Sequence, residues 1–112
     1  MLKVLLVEDE NLIRRGLQYK MDWTEVNCVV VGEAANGEEG IAQAEKCRPS
    51  LIITDLKMPK MDGLEMVSCL REAGNSVFVI ILTAYDWSEI ESEARAVGVT
   101  SFLSKPFYRS KL

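Results

Sequence analysis

The sequence predicts an α/β domain: a doubly wound, five-stranded parallel sheet with helices on both faces and the strand order 2-1-3-4-5. Three observations lead there. The chain has 112 residues and is 48% hydrophobic and 27% charged, which suits a single domain with one well-formed core. Five short apolar runs recur along it: Val4–Val7, Cys28–Val31, Leu51–Thr54, Val77–Leu82 and Thr100–Leu103. Runs that are apolar on both faces suit strands covered by helices on each side. Amphipathic segments with helix-end signals separate the runs, and such alternation implies right-handed crossovers and a parallel sheet.

The first helix should follow Val4–Val7, with Leu12, Ile13, Leu17 and Met21 as its apolar stripe and Trp23 stapling its exit. Asn36 with Glu39 caps the second, which turns Ile41 and Ala44 inward, and Pro49 lies just past its end. Asp62 with Glu65 forms a capping box for the third, where Leu64, Val67, Cys69 and Leu70 gather on the core side. Ser88 with Glu91 repeats that box before Ile90, Ala94 and Val97 of the fourth. Gly74 and Gly98 stand where left-handed helix ends are expected. A fifth helix has barely begun at Leu112, so residues 1–112 read as one domain with its last helix cut short.

Composition excludes several functions. The formal net charge of −4 argues against a phosphate-backbone partner, so no nucleic acid should be contacted by this domain itself. The absence of His removes catalytic triads and zinc-hydrolase motifs. Cys28, Cys47 and Cys69 are odd in number and lack CxxC spacing, and read as reduced, core-filling thiols of a cytoplasmic protein. No basic-then-apolar leader precedes the first strand, and Val77–Leu82 is too short to span a bilayer, so no membrane is expected.

In an open sheet of this order, ligands bind in the crevice at the carboxyl ends of the first and third strands. The residues arriving there are Glu8, Asp9, Asp55, Thr83 and Lys105. Each alone reads as a cap, a turn former or a strand residue. Together they place three carboxylates in one crevice, and mutual repulsion is relieved by a hard dication with oxygen ligands. Three carboxylates give −3 and Lys105 gives +1, so one Mg2+ brings the site to neutral. A phosphoryl group could then be held by metal, hydroxyl and ammonium.

Four fragments in register carry a resemblance over essentially the whole chain: Val7-Glu8-Asp9-Glu10, Thr54-Asp55-Leu56-Lys57-Met58-Pro59-Lys60-Met61-Asp62-Gly63, Leu82-Thr83-Ala84 and Ser104-Lys105-Pro106. The sequence resembles the receiver domain of two-component response regulators, whose fold is flavodoxin-like. The resemblance implies that Asp55 is the phosphoacceptor, taking its phosphoryl group from a histidine kinase or phosphotransfer protein. It implies Mg2+, with Mn2+ as a substitute, on Glu8, Asp9, Asp55 and the backbone carbonyl of Lys57. Thr83 and Lys105 would hold phosphoryl oxygens, and the Lys105–Pro106 bond would be cis, the only bond type for which cis is cheap. Thr83 and Phe102 would form the switch pair, read out on the face of the fourth helix, fifth strand and fifth helix. Phe102 reads equally as a core aromatic. An output domain and a homodimer belong to the same expectation.

Where the commonest family pattern has Asp-Asp, this chain has Glu8-Asp9; the longer Glu8 reaches a metal directly or through water. Lys57 and Tyr85 flank the expected path of hydrolytic water, either shielding the acyl phosphate or standing as solvated rim residues. Met58, Met61 and Met66 read as packing residues, and Trp87 as a partner anchor beside the charged Glu89, Glu91, Glu93 and Arg95. Met21-Asp22-Trp23 and Val30–Gly37 resemble receivers joined to AraC-type DNA-binding domains; Ala84–Ser88 and Lys105–Ser110 resemble receivers within hybrid sensor kinases. Two other functions compete. A haloacid-dehalogenase-type phosphatase also uses an Asp nucleophile, but needs an acid two residues later, where this chain has Lys57. An interaction module that has lost phosphorylation usually lacks the acceptor or the Lys, and both are present.

Overall fold

The structure, a computed structural model, describes residues 1–83, 88 and 90–104. The five strands are β1 (Leu2–Val7), β2 (Cys28–Ala34), β3 (Leu51–Asp55), β4 (Phe78–Thr83) and β5 (Ser101–Ser104). Four helices separate them: α1 (Asn11–Lys20), α2 (Gly37–Cys47), α3 (Gly63–Glu72) and α4 (Glu91–Val97). All strand pairs are parallel and the order is β2-β1-β3-β4-β5, as expected. The expected fifth helix lies outside the described residues.

Side chains of a strand alternate between the two faces of the sheet, so each central strand feeds two cores. Leu5, Val7, Ile52, Ile81 and Phe102 join one core with Ala44 of α2, Met66, Val67 and Leu70 of α3 and Ala94 of α4. Val4, Leu6, Ile53 and Leu82 join the other with Leu17 of α1. Each fully buried aliphatic side chain contributes roughly 1.5–3 kcal/mol. This explains the unbroken apolar run Val4–Val7: β1 is central, with helices above and below.

Helix ends follow their sequence signals except at the start of α4. Asn36 accepts from Glu39 N at the start of α2, and Asp62 and Glu65 form a reciprocal capping box on α3. Arg48 ends α2 in the left-handed region just before Pro49, and Gly74 and Gly98 adopt positive φ after α3 and α4. The Trp23 indole donates to the Leu17 carbonyl at 3.0 Å from a short 3-10 turn over Trp23–Val26, stapling the exit of α1. Arg71 joins the ends of α3 and α4, donating to the carbonyls of Asn75 at 3.0 Å and Gly98 at 2.6 Å. Burial lowers its guanidinium pKa.

Several expectations need correction. α4 starts at Glu91 with Ile90 in the N-cap position and no side-chain cap, rather than at Ser88, because Ile90 packs against the core and sets the entry of the chain. Leu12 is not on the inward stripe of α1 but is 84% exposed, since Ile13 and Leu17 already define the buried face. Cys69 is only half-buried, and Met66 takes the core position on α3. Cys47 is likewise half-buried, so only Cys28 is a truly buried thiol, although all three are free. β2 runs on to Ala34 and is half-exposed, as an edge strand can be.

Gly16 in the middle of α1 would meet nothing within 4 Å if it carried a Cβ. Gly16→Ala should therefore stabilise the domain by about 0.5–1 kcal/mol, the helix-propensity difference. A higher urea midpoint at unchanged slope checks this.

Candidate functional site

The register of the sheet brings Glu8, Asp9, Asp55 and Thr83 to one edge. Val7 pairs with Thr54, Asp55 with Leu82, and Thr83 with Ser104. Glu8, Asp55 and Thr83 therefore emerge on three adjacent strands, whose spacing is about 4.8 Å. All three are buried, with Glu8 only 1% exposed, while Asp9 is the most accessible of the acids. Glu8, Asp9 and Asp55 each offer a carboxylate oxygen within 4.8 Å of the others. Such a set of all-oxygen donors, two buried and one accessible, fits a hard divalent cation.

Local structure explains how these acids are held. The Glu8 N–H donates to the Ala34 carbonyl at 3.0 Å, and Glu10 N returns to the Glu8 carboxylate at 3.1 Å. Asp55 Oδ1 accepts from Leu56 N at 2.8 Å, and the Asp55 carbonyl accepts from the Thr54 hydroxyl at 2.9 Å. The loop after β3 then folds back, with Gly63 N donating to the Leu56 carbonyl at 2.8 Å. A Cβ on Gly63 would lie 2.5 Å from the Asp55 carbonyl oxygen, so this close approach requires glycine. The capping box on α3 starts the helix at that point.

Among the other predicted residues, Lys57 is exposed two residues beyond Asp55. Phe102 is buried in the core against α2–α4, opposite Ile81 in the register, with the Arg95 guanidinium carbon 5.9 Å from its ring centre. Arg95 also pairs with Glu91 at 2.9 Å on the outer face of α4. Met58 and Met61 pack against the core, and Met66 lies within it. Lys105, the Lys105–Pro106 bond, Tyr85 and Trp87 lie outside the described residues. Arg14, which donates to the Glu8 carbonyl, was not singled out by the sequence reading. Its signal is positional: it follows Ile13 on the flank of the stripe of α1, five residues after Asp9.

A parallel sheet of this order with three acids at the ends of β1 and β3 defines a flavodoxin-like domain whose crevice is acidic. The chain belongs to the response regulator receiver domain family, which it matches over residues 4–112. It is thus the receiver domain of a response regulator, a component of two-component systems. It is 36% identical over 106 residues to the uncharacterized transcriptional regulatory protein YesN of Bacillus subtilis, covering 95% of this chain and 29% of that protein. The REC domain of AraT, a response regulator from Geobacillus stearothermophilus, superposes with a TM-score of 0.81 at 37% identity, covering 98% of this chain and 88% of that one. The CheX-CheY-BeF3-Mg+2 complex from Borrelia burgdorferi contains a chain matching with a TM-score of 0.85 at 26% identity, over 98% of this chain and 82% of that one. The chain spans 29–52% of the length of the curated relatives YesN, PdtaR, YdfI and BtsR, all described as transcriptional regulatory proteins.

Proposed function

We propose that the domain is a phosphoacceptor switch: Asp55 accepts a phosphoryl group from a phosphohistidine on a kinase or phosphotransfer protein and thereby controls an output. The observation that carries this reading is the convergence of Glu8, Asp9 and Asp55 at the ends of β1 and β3, with carboxylate oxygens all within 4.8 Å. Glu8, Asp9, Asp55 and the Lys57 carbonyl would hold Mg2+, or Mn2+ with the same taste for oxygen. The cation, when bound, neutralises negative charge between carboxylate and phosphoryl group.

In the transfer step, one Asp55 carboxylate oxygen attacks the phosphorus of the phosphoryl-imidazole. The P–N bond breaks, its electron pair returns to the imidazole nitrogen, and that nitrogen takes up a proton. Positioning and charge neutralisation supply most of the acceleration in such loose transition states. The Leu56 N–H bond on Asp55 Oδ1 helps fix the carboxylate plane. Thr83, at the end of β4, would donate its hydroxyl to a phosphoryl oxygen, and Lys105 its ammonium to another. Water later attacks phosphorus, the P–O bond breaks, and Asp55 is restored; the domain thus catalyses only its own phosphorylation and dephosphorylation. Thr83 lies two residues beyond Ile81, the register partner of Phe102, so a shift at Thr83 has a short path to β5 and the α4 face. An output domain and a homodimer complete the proposal, with the protein placed in the cytoplasm. No helix among the described residues is long and apolar enough to cross a membrane.

A haloacid-dehalogenase-type phosphatase is disfavoured because the position two residues after Asp55 is Lys57. A module without phosphorylation is disfavoured by the presence of Asp55, Thr83 and Lys105 together. The test is incubation with acetyl phosphate and Mg2+. One acid-stable, base-labile phosphoryl group per chain is expected, lost in EDTA and in Asp55→Asn; label retained in that variant would overturn the assignment.

A further inference from the structure

Arg14 is mostly buried, and its guanidinium is engaged along three directions. Nη1 donates to the backbone carbonyl of Glu8 at 2.6 Å, Nε to Glu33 Oε1 at 2.8 Å and Nη2 to Asn11 Oδ1 at 2.8 Å. The Glu8 peptide is therefore held from both sides: its N–H by the last residue of β2, its carbonyl by α1. Glu33 lies on β2, so Arg14 ties two elements, α1 and β2, to the turn that carries Glu8 and Asp9. The pairing with Glu33 offsets the charge of Arg14, so the brace adds little repulsion toward a cation in the crevice.

We propose that Arg14 is a positioning residue for the divalent-cation site, holding the Glu8-Asp9 turn so that both carboxylates stay aimed at Asp55. This rests on the cation reading of the acidic cluster. A planar fork with fixed donor directions meets three acceptors at once, which the single ammonium of lysine does not reproduce.

Charge and geometry predict opposite signs here. Removing a positive charge close to a dication site tightens binding, whereas loosening the turn weakens it. The test is Mn2+ binding followed by water-proton relaxation, with Mg2+ measured by competition, on the unsubstituted protein, Arg14→Met and Arg14→Lys. Both variants should bind each cation roughly tenfold more weakly, the size typical of residues that orient metal ligands. The loss should persist at high salt, because screening acts on charge and not on ligand geometry. Unchanged or tighter binding in Arg14→Met, or a lowered melting temperature with unaltered affinity, would overturn the proposal. Should Arg14→Met not fold, as judged by circular dichroism, the same loss is read on Arg14→Lys. Absence of binding by the unsubstituted protein would remove the cation reading itself, and this proposal with it.

Discussion

Asp55→Asn is expected to make the metal-free domain more stable while ending phosphoryl uptake altogether. The amide oxygen can still accept the Leu56 N–H bond that Asp55 Oδ1 accepts at 2.8 Å, so that contact survives the substitution. What disappears is one of three negative charges whose oxygens lie within 4.8 Å of one another. Two unit charges at that spacing repel by roughly 3 kcal/mol at an effective dielectric of about 20. Solvent around the more accessible Asp9 and counterions reduce this, leaving an expected gain of about 1–2 kcal/mol, or roughly 5–10 °C in melting temperature. Added Mg2+ should stabilise the native protein by mass action and the variant much less, closing the gap between them. Urea unfolding with and without Mg2+ checks both halves. A variant less stable than the parent in EDTA would show that the three acids do not strain one another.

The same repulsion made the site legible in the sequence. Four fragments fell at strand ends, and a parallel sheet of order 2-1-3-4-5 has one place for a ligand. Alternating apolar runs carried the topology because central strands are covered on both faces. Legibility failed where burial depends on which neighbour arrives. Leu12 has the composition of a core residue, yet helical phase puts it outside once Ile13 and Leu17 face the sheet. Ile90 overrides the Ser88 signal because an apolar contact with the core sets the helix start more strongly than a surface cap. Arg14 stayed hidden for a different reason: its three acceptors come from Glu8, Asn11 and Glu33, and the last of these is 19 residues away. No local pattern announces such a bridge.

Gly63→Ala should cost about 2–3 kcal/mol and weaken cation binding as well. The new methyl carbon would stand 2.5 Å from the Asp55 carbonyl oxygen and 3.4 Å from Leu56 Cα, both of them backbone atoms. A flexible side chain can swing away from an intruder; a strand end bonded on both sides cannot without moving the strand. The Asp55 carbonyl is tied to the Thr54 hydroxyl and its carboxylate to Leu56 N, so relief must come from displacing the phosphoacceptor loop or the first turn of α3. Either movement also strains the 2.8 Å bond from Gly63 N to Leu56 O. Overpacking of this kind typically costs 1–3 kcal/mol, and rigid backbone on both sides places this case near the upper end. The expected readings are a melting temperature lower by roughly 10 °C and a several-fold weaker Mn2+ relaxation titration. Gly16→Ala, the same chemical change where space is open, should move stability in the opposite direction. A Gly63→Ala protein as stable as its parent would mean that the loop after β3 yields freely, and then the fixed aim of Asp55 would need another source.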